Sequence, residues 1–405
     1  MSPNLRLLHV RPEAELTVVE HRGGEAIETA TSAWLAVIAR SPAVTPFSTP
    51  AWASTWFSVY GDGHLPLVLE VRADGVPVAI APLQRTRYPG ARARRLEFIS
   101  TAPMTPSQWA LNPRHRGQAI YADTIIVPGF EATALTALRR WLSQRIGLWD
   151  ELRLYCVPSS SPLGKGFDDF ARSWSPHVQL DERVYVDTSE GWSAYRGRLS
   201  KRQVRHLRYE PNTLARKAGG ELELVAYRAG DVRAGIEMFS DMYYARWAAK
   251  GRGMPTKNRL LYRRLASRTE LHPIVYSLVA GGRTLAMQFG FDNGRRYIPY
   301  GFAFDPSIDQ TSPANVLIQF LIRRCCDDDH DEIDLAALDV VDRWAGESRP
   351  RVTLTAISPR FPARARVRSL EAIELALTAF HKSKSGRRVI GTLGRIRRST
   401  SGTLP

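Results

Sequence analysis

Residues 274–336 read IVYSLVAGGRTLAMQFGFDNGRRYIPYGFAFDPSIDQTSPANVLIQFLIRRCCDDDHDEIDLA, and this stretch decides the fold. Its first part, 274–292, is two apolar runs joined by Ala280-Gly281-Gly282-Arg283, a tight-hairpin signal. A third strand, 296–304, follows directly. Ser312-Pro313 then opens a helix, ANVLIQFLIRRCC, which the pattern predicts to be capped by the serine hydroxyl with proline at its first position. The run DEIDLA at 331–336 closes the series as a strand, and a helical pattern at 232–250 precedes it.

Working outward, the N-terminal half shows the same order. Ser48 or Thr49 caps a helix with Pro50 at its start, running through Trp56 and Phe57. The stretch LPLVLEVRADGVPVAIAPLQ at 65–84 reads as a hairpin turned at Asp74-Gly75. Strand-like runs at 96–99 and 120–127, a helix at 130–146 and a strand at 150–157 complete it. ADG stands where the second half has AGG, and DELRL where it has DEIDL, in one order at similar spacing. Such self-similarity points to duplicated modules. Each is α+β, with a mixed, mainly antiparallel sheet and flanking helices. The expected boundaries are an N-terminal module at 1–157, a Ser/Pro/Gly-rich connection at 158–192, a C-terminal module with the active site at 193–358, and a basic helix and tail at 359–405.

Charge is distributed unevenly. The chain of 405 residues has a formal net charge of +16. Residues 194–218 hold eight basic residues against one acidic, and residues 359–405 eleven against two. These two excesses account for the whole of the net charge, so the rest of the chain is neutral. A local excess needs a local reason. Cys156, Cys325 and Cys326 make a poor disulfide framework, and the scattered histidines have no metal-ligand spacing. The first residues lack a secretory apolar core and no apolar run reaches bilayer length, so the expectation is a reduced cytoplasmic protein, with a peripheral position at the inner face of the membrane as the alternative. Walker A, G-x-G-x-x-G and G-x-S-x-G elements do not occur, which disfavours nucleotide hydrolysis, dinucleotide redox chemistry and serine hydrolysis.

Several motifs together resemble the CelD/BcsL family of acetyltransferases, a duplicated GNAT-like fold, over about residues 45–355. They are Trp52 through Trp56, Pro82-Leu83, Leu199-Ser200-Lys201, Arg246-Trp247, Tyr300-Gly301-Phe302 with Asp305-Pro306, and the strand bearing Asp334. The family's Ser-Pro-Gly stands here as Ser312-Pro313-Ala314, and its Gly-x-x-x-Tyr-Lys as Leu338 through Asp342-Arg343. The second change removes a natural general acid, while Arg343 keeps the positive charge. The resemblance implies transfer of an acyl group, acetyl first, from acyl-CoA without a metal. The acceptor it implies is an amine or hydroxyl of a sugar, glycan precursor or other envelope or secondary metabolite, as in polysaccharide biosynthesis.

In such a reaction the acceptor attacks a thioester, so a proton must leave the acceptor and another must reach the thiolate. Tyr300 is the candidate general acid or a plain core tyrosine, and Gln288 a substrate contact or a polar residue on a strand face. Asp339 is a candidate base or an ordinary exposed carboxylate. Ser312, Ala314 and Asn315, at a helix N-terminus, are candidates for the cofactor phosphates. Lys201 and Arg205 belong with them on the basic helix, while Arg246, Asp305, Asp334 and Arg343 are candidate substrate contacts. The basic helix leaves two other readings open: a Fem-like transferase that takes its aminoacyl group from tRNA, and a non-catalytic binding protein. The basic tail is expected to be a mobile arm, alone or against a membrane surface or nucleic acid.

Overall fold

A computed structural model of the chain describes residues 15–41, 45–101, 119–248, 256–335 and 341–382. In chain order the first elements are β1 (Leu16–Arg22), α1 (Ala26–Ile38), α2 (Pro50–Tyr60), β2 (His64–Ala73), β3 (Val76–Tyr88), β4 (Ala93–Phe98), β5 (Ile125–Ile126), α3 (Glu131–Gln144), β6 (Glu151–Pro158) and α4 (Pro162–Phe170). Then come β7 (His177–Asp187), α5 (Gly191–Arg198), α6 (Lys201–Ala218), β8 (Glu223–Tyr227), α7 (Val232–Ala248), α8 (Thr256–Ala266), β9 (Pro273–Ala280), β10 (Arg283–Asp292) and β11 (Arg296–Phe304). α9 (Pro313–Asp327), β12 (Glu332–Asp334), α10 (Val341–Trp344), β13 (Glu347–Ile357) and α11 (Phe361–Lys382) end the series.

Two compact units emerge: residues 1–181 with 351–405, and residues 182–350. In the first, strands run in the order β1, β2, β3, β4, β6, β13, and β5 pairs with β3. All of these pairings are antiparallel except β4–β6, parallel at Arg95–Glu151 and Leu96–Leu152. In the second unit the order is β7, β12, β11, β10, β9, β8. Here β11–β12 is parallel, at Arg296–Glu332 and Tyr297–Ile333, and the other resolved pairings are antiparallel. Apart from the two-residue β5, the same strand–helix–helix–three strands–helix–strand order therefore occurs twice. Both hairpins turn through a left-handed pair, Asp74 (φ 48°) with Gly75 (φ 79°) and Gly281 (φ 53°) with Gly282 (φ 72°). That geometry matches the strand twist and explains the glycines.

Local signals formed most of these elements. Thr49 accepts a hydrogen bond from the Trp52 amide at 3.2 Å, with Pro50 at the first helical position of α2. Ser200 opens α6 with a capping box, its hydroxyl on the Gln203 amide and the Gln203 side chain on the Ser200 amide. The expected strand at 120–127 is reduced to Ile125–Ile126, and the segment expected as a connection holds α4 and β7. The C-terminal helix begins at Phe361, and the tail expected to be mobile lies outside the described residues beyond 382.

Pro211 sits inside α6, where its missing N–H leaves the Leu207 carbonyl without a helical donor. The Gln319 side-chain amide on α9 supplies the bond instead, at 2.8 Å. The core of this unit joins α9 residues Val316, Leu317 and Leu321 to β-sheet residues Ala286, Tyr297 and Ile333, with Leu214 of α6.

Candidate functional site

Among the described residues the parallel pairing of β11 with β12 ends at Tyr297–Ile333. β11 continues from Ile298 to Phe304 after its last partner, Tyr297. Pro299, which has no N–H to offer a ladder, falls just past that point. On the other side of β11 the register with β10 jumps at Gly290, which pairs with Pro299 while Phe289 pairs with Gly301. Tyr300 is therefore the extra residue of a β-bulge. A split pair, a bulge beside it and a helix start beyond it make the end of this sheet the candidate site.

The bulge decides which side chains share a face. Tyr300 packs edge-on to Tyr262 of α8, ring centroids 5.7 Å apart, and against Phe289 and Phe291. A Cβ on the next residue, Gly301, would lie 2.8 Å from Phe239 of α7 and 3.3 Å from the Tyr262 hydroxyl. This is the α7–α8 face. Gln288 adjoins Phe289 in β10 and so points the opposite way, toward α9. Its side chain is 7% exposed and its carbonyl oxygen has no hydrogen-bond partner among the described residues. Gln288 and Tyr300, both candidates from the chain, therefore stand on opposite faces of the sheet.

Asp334 joins Tyr300 instead. Ile333 and Leu335 belong to the core beneath α9, so Asp334 between them turns to the α7–α8 face. It is the first β12 residue beyond the last parallel pair, and it is fully buried. On the same face Glu332 is held by Arg296 and Arg349, the latter stacked 4.1 Å over the Tyr185 ring. Asp339 lies outside the described residues, as does the side chain of Arg246 near the end of α7.

At the start of α9 the expected cap is absent. Ser312 is left-handed, φ 54° and ψ 50°, and its side chain makes no cap bond. A capping hydroxyl requires extended backbone to aim at the first-turn amides. The Ser312 carbonyl accepts from the Asn315 and Val316 amides at 2.9 and 3.3 Å. Pro313 has no amide hydrogen, so Ala314 carries the remaining first-turn N–H. No acidic residue occupies that first turn, which keeps the helix end positive. Asp305, in the loop before it, accepts from Arg283 at 2.7 Å and from the Ser307 amide at 2.9 Å. Partial burial alone would raise its carboxyl, but the bonds from Ser307 and Arg283 hold it below the ordinary carboxylate range. Asp305 is thus occupied as a loop latch.

Lys201 and Arg205 are not brought to Ser312. Gln319 meets α6 at Leu207, and the far end of α6 meets the hairpin at Gly281, close to Arg283 and its partner Asp305. α6 therefore runs antiparallel to α9. With 1.5 Å per residue on each helix, Lys201 lies about 20 Å along the axis from Ser312. Arg343 contacts Glu210 of α6, which also faces His206 at 3.4 Å. It is a structural partner of α6.

The corresponding helix of the first unit, α3, has a different start. Glu131 in its first turn accepts from the Gly129 amide at 2.9 Å, so this helix start carries a carboxylate of the chain itself, which α9 does not. Sequence reasoning passed over Glu131, although an acid in a first turn was a legible signal. It also passed over Gln319, which only becomes meaningful once Leu207 is beside it.

Among the described residues no group of His, Cys, Asp and Glu is placed to hold a metal ion, and no helix is long and apolar enough to cross a membrane. Cys156, Cys325 and Cys326 form no disulfide among the described residues.

Residues 201–345 match the family model of an acetyltransferase (GNAT) domain. The solved structure of FemX superposes with a TM-score of 0.55 at 9% identity, covering 80% of this chain and 95% of that one. The C-terminal domain of a protein described as a lysylphosphatidylglycerol synthetase from Agrobacterium fabrum superposes with a TM-score of 0.51 at 10% identity, covering 86% and 97%. A tandem GNAT protein from the clavulanic acid biosynthesis pathway covers 85% of this chain and 99% of its own, at 13% identity and a TM-score of 0.45. No curated protein matches the chain in sequence. The expected fold, tandem GNAT-like modules, is borne out, and residues 201–345 form a GNAT-type acyltransferase domain.

Proposed function

We propose that this acyltransferase takes its acyl group from acyl-CoA, acetyl-CoA first, and delivers it to an amine or hydroxyl of a small metabolite. The observation that carries the reading is the split between β11 and β12 with the open start of α9 beyond it. Beyond Tyr297 the β12 side of β11 has no partner strand among the described residues and offers backbone groups to an amide-bearing arm, and the positive end of α9 with the Ala314 amide suits its phosphates. The matching helix of the first unit instead carries Glu131 in its first turn, a negative charge where α9 has none.

On the α7–α8 face, Tyr300 and Asp334 are the side chains of suitable chemistry nearest the split. Asp334 takes the role of accepting the acceptor's proton and Tyr300 that of protonating the departing thiolate. The acceptor is proposed from the CelD/BcsL likeness as a sugar or envelope precursor. Calorimetric titration with acetyl-CoA and with longer acyl-CoAs tests the donor. Saturable heat with at least one thioester is expected, and absence of both heat and thermal shift for all of them refutes the proposal.

A further inference from the structure

α6 concentrates unpaired positive charge on one exposed face. Lys201, Arg205, Arg208 and Arg216 follow one line along its outer face, with Arg202 and Tyr209 beside it. All are exposed, Tyr209 to 64%. From Lys201 to Arg216 the row is about 22 Å long. None of these cations has a carboxylate partner among the described residues. Elsewhere the unit pairs several of its surface arginines: Arg228 with Asp292, Arg263 with Glu237, Arg283 with Asp305, Arg296 with Glu332 and Arg324 with Asp328. The one acid on α6, Glu210, is turned toward Arg343 and His206.

Like charges three or four residues apart weaken a helix. α6 tolerates them through its capping box, its left-handed Gly219 at the end and the Gln319 bond that repairs Pro211. Its apolar side, Val204, Leu207 and Leu214, is packed in the core. Insertion of this helix into an apolar phase is therefore blocked, and what it presents is charge alone. The row follows one face of a single helix. Nucleic-acid strands are usually followed by a basic groove with several stacking aromatics, whereas the described face of α6 presents a single row of cations and one exposed tyrosine. A plane of anionic headgroups meets the whole row at once, and an exposed tyrosine suits the headgroup layer.

We infer that the outer face of α6 adsorbs the protein onto anionic phospholipid bilayers. The attraction is electrostatic and does not depend on the acyl donor. Each cation contributes about a factor of five in affinity at such a surface.

The test uses the full chain with vesicles of phosphatidylcholine, with and without phosphatidylglycerol, at low and high salt. Single-stranded RNA and bulk tRNA serve as competing probes. Binding only to the phosphatidylglycerol vesicles is expected, lost as salt screens the charges. Arg205→Gln with Arg208→Gln weakens it about 25-fold, and Arg202→Gln with Arg216→Gln does so comparably. Unchanged vesicle binding in both variants overturns the inference, as does absence of vesicle binding by the natural chain. Loss of RNA binding in the variants with vesicle binding intact assigns the face to RNA and overturns it equally. Because these side chains are exposed and unpaired, unfolding of both variants also contradicts the assignment.

Discussion

Ala314→Glu separates the helix end as a structural element from the helix end as a phosphate seat. Position 314 lies in the first turn of α9, half-buried, and its amide is the one that the Ser312 carbonyl leaves free. A carboxylate there favours the helix itself by about 0.3–1 kcal/mol through the dipole. The effect on a bound phosphate is the reverse. Loss of one charge-assisted amide bond costs about 1.5–3 kcal/mol, and a carboxylate about 5 Å from a phosphate adds roughly 3 kcal/mol before solvent screening. Screening and side-chain rotation leave a net penalty of about 2–3 kcal/mol, or roughly 30- to 150-fold in affinity. Titration calorimetry with CoA and acetyl-CoA, alongside thermal unfolding of the free protein, reads both effects. The expected result is an unchanged or raised midpoint with strongly weakened binding, while Ala314→Gly binds within a few-fold of the natural chain. Ala314→Glu binding as tightly as the natural chain refutes the reasoning, because phosphates at this helix end must feel the added charge.

Three further outcomes follow from geometry. Gln319→Ala is expected to lose about 1–2 kcal/mol in denaturant unfolding, and Pro211→Ala in that background to recover part of it, because an alanine amide restores the bond to Leu207. Additivity in this double-mutant cycle contradicts the proposed repair. Gly301→Ala is expected to destabilise by about 1–3 kcal/mol, since the new methyl meets Phe239 at 2.8 Å. An unchanged midpoint counts against the tight α7–β11 contact. Burial pushes Glu97 up to about 7, against the pull of Arg95 and the Thr86 hydroxyl. The folded state then holds a proton that the unfolded chain releases near pH 4.5. Stability from this group is present below that value and is lost as pH rises through about 7. Glu97→Gln should remove that part of the profile, and an identical pH dependence of the melting temperature in both proteins contradicts it.

Much of the architecture was legible because it rests on local rules. Asp74-Gly75 and Gly281-Gly282 announce hairpins, Pro50 and Pro313 announce helix starts, and apolar alternation marks the central strands. β1, β7, β8 and α8 were missed, because segments that are short or rich in polar residues carry little periodicity. The candidate site was legible in residue type and weakly in arrangement. Ser312, Asn315, Tyr300 and Asp334 were named from the chain, but counting positions cannot reveal a bulge that shifts the alternation at Tyr300. Nor can it reveal that Arg343 is engaged by Glu210.

What the sequence by itself determined is the composition of the modules, their repetition and the concentration of charge on one helix. These depend on neighbours within a few positions and survive being read in one dimension. Only the tertiary structure decided which candidates share a face, which helix start remains open to an anion and which cations lack a partner. Each of these is a relation between segments far apart in the chain, set by packing α6, α8 and α9 onto a common sheet, and no spacing rule encodes it.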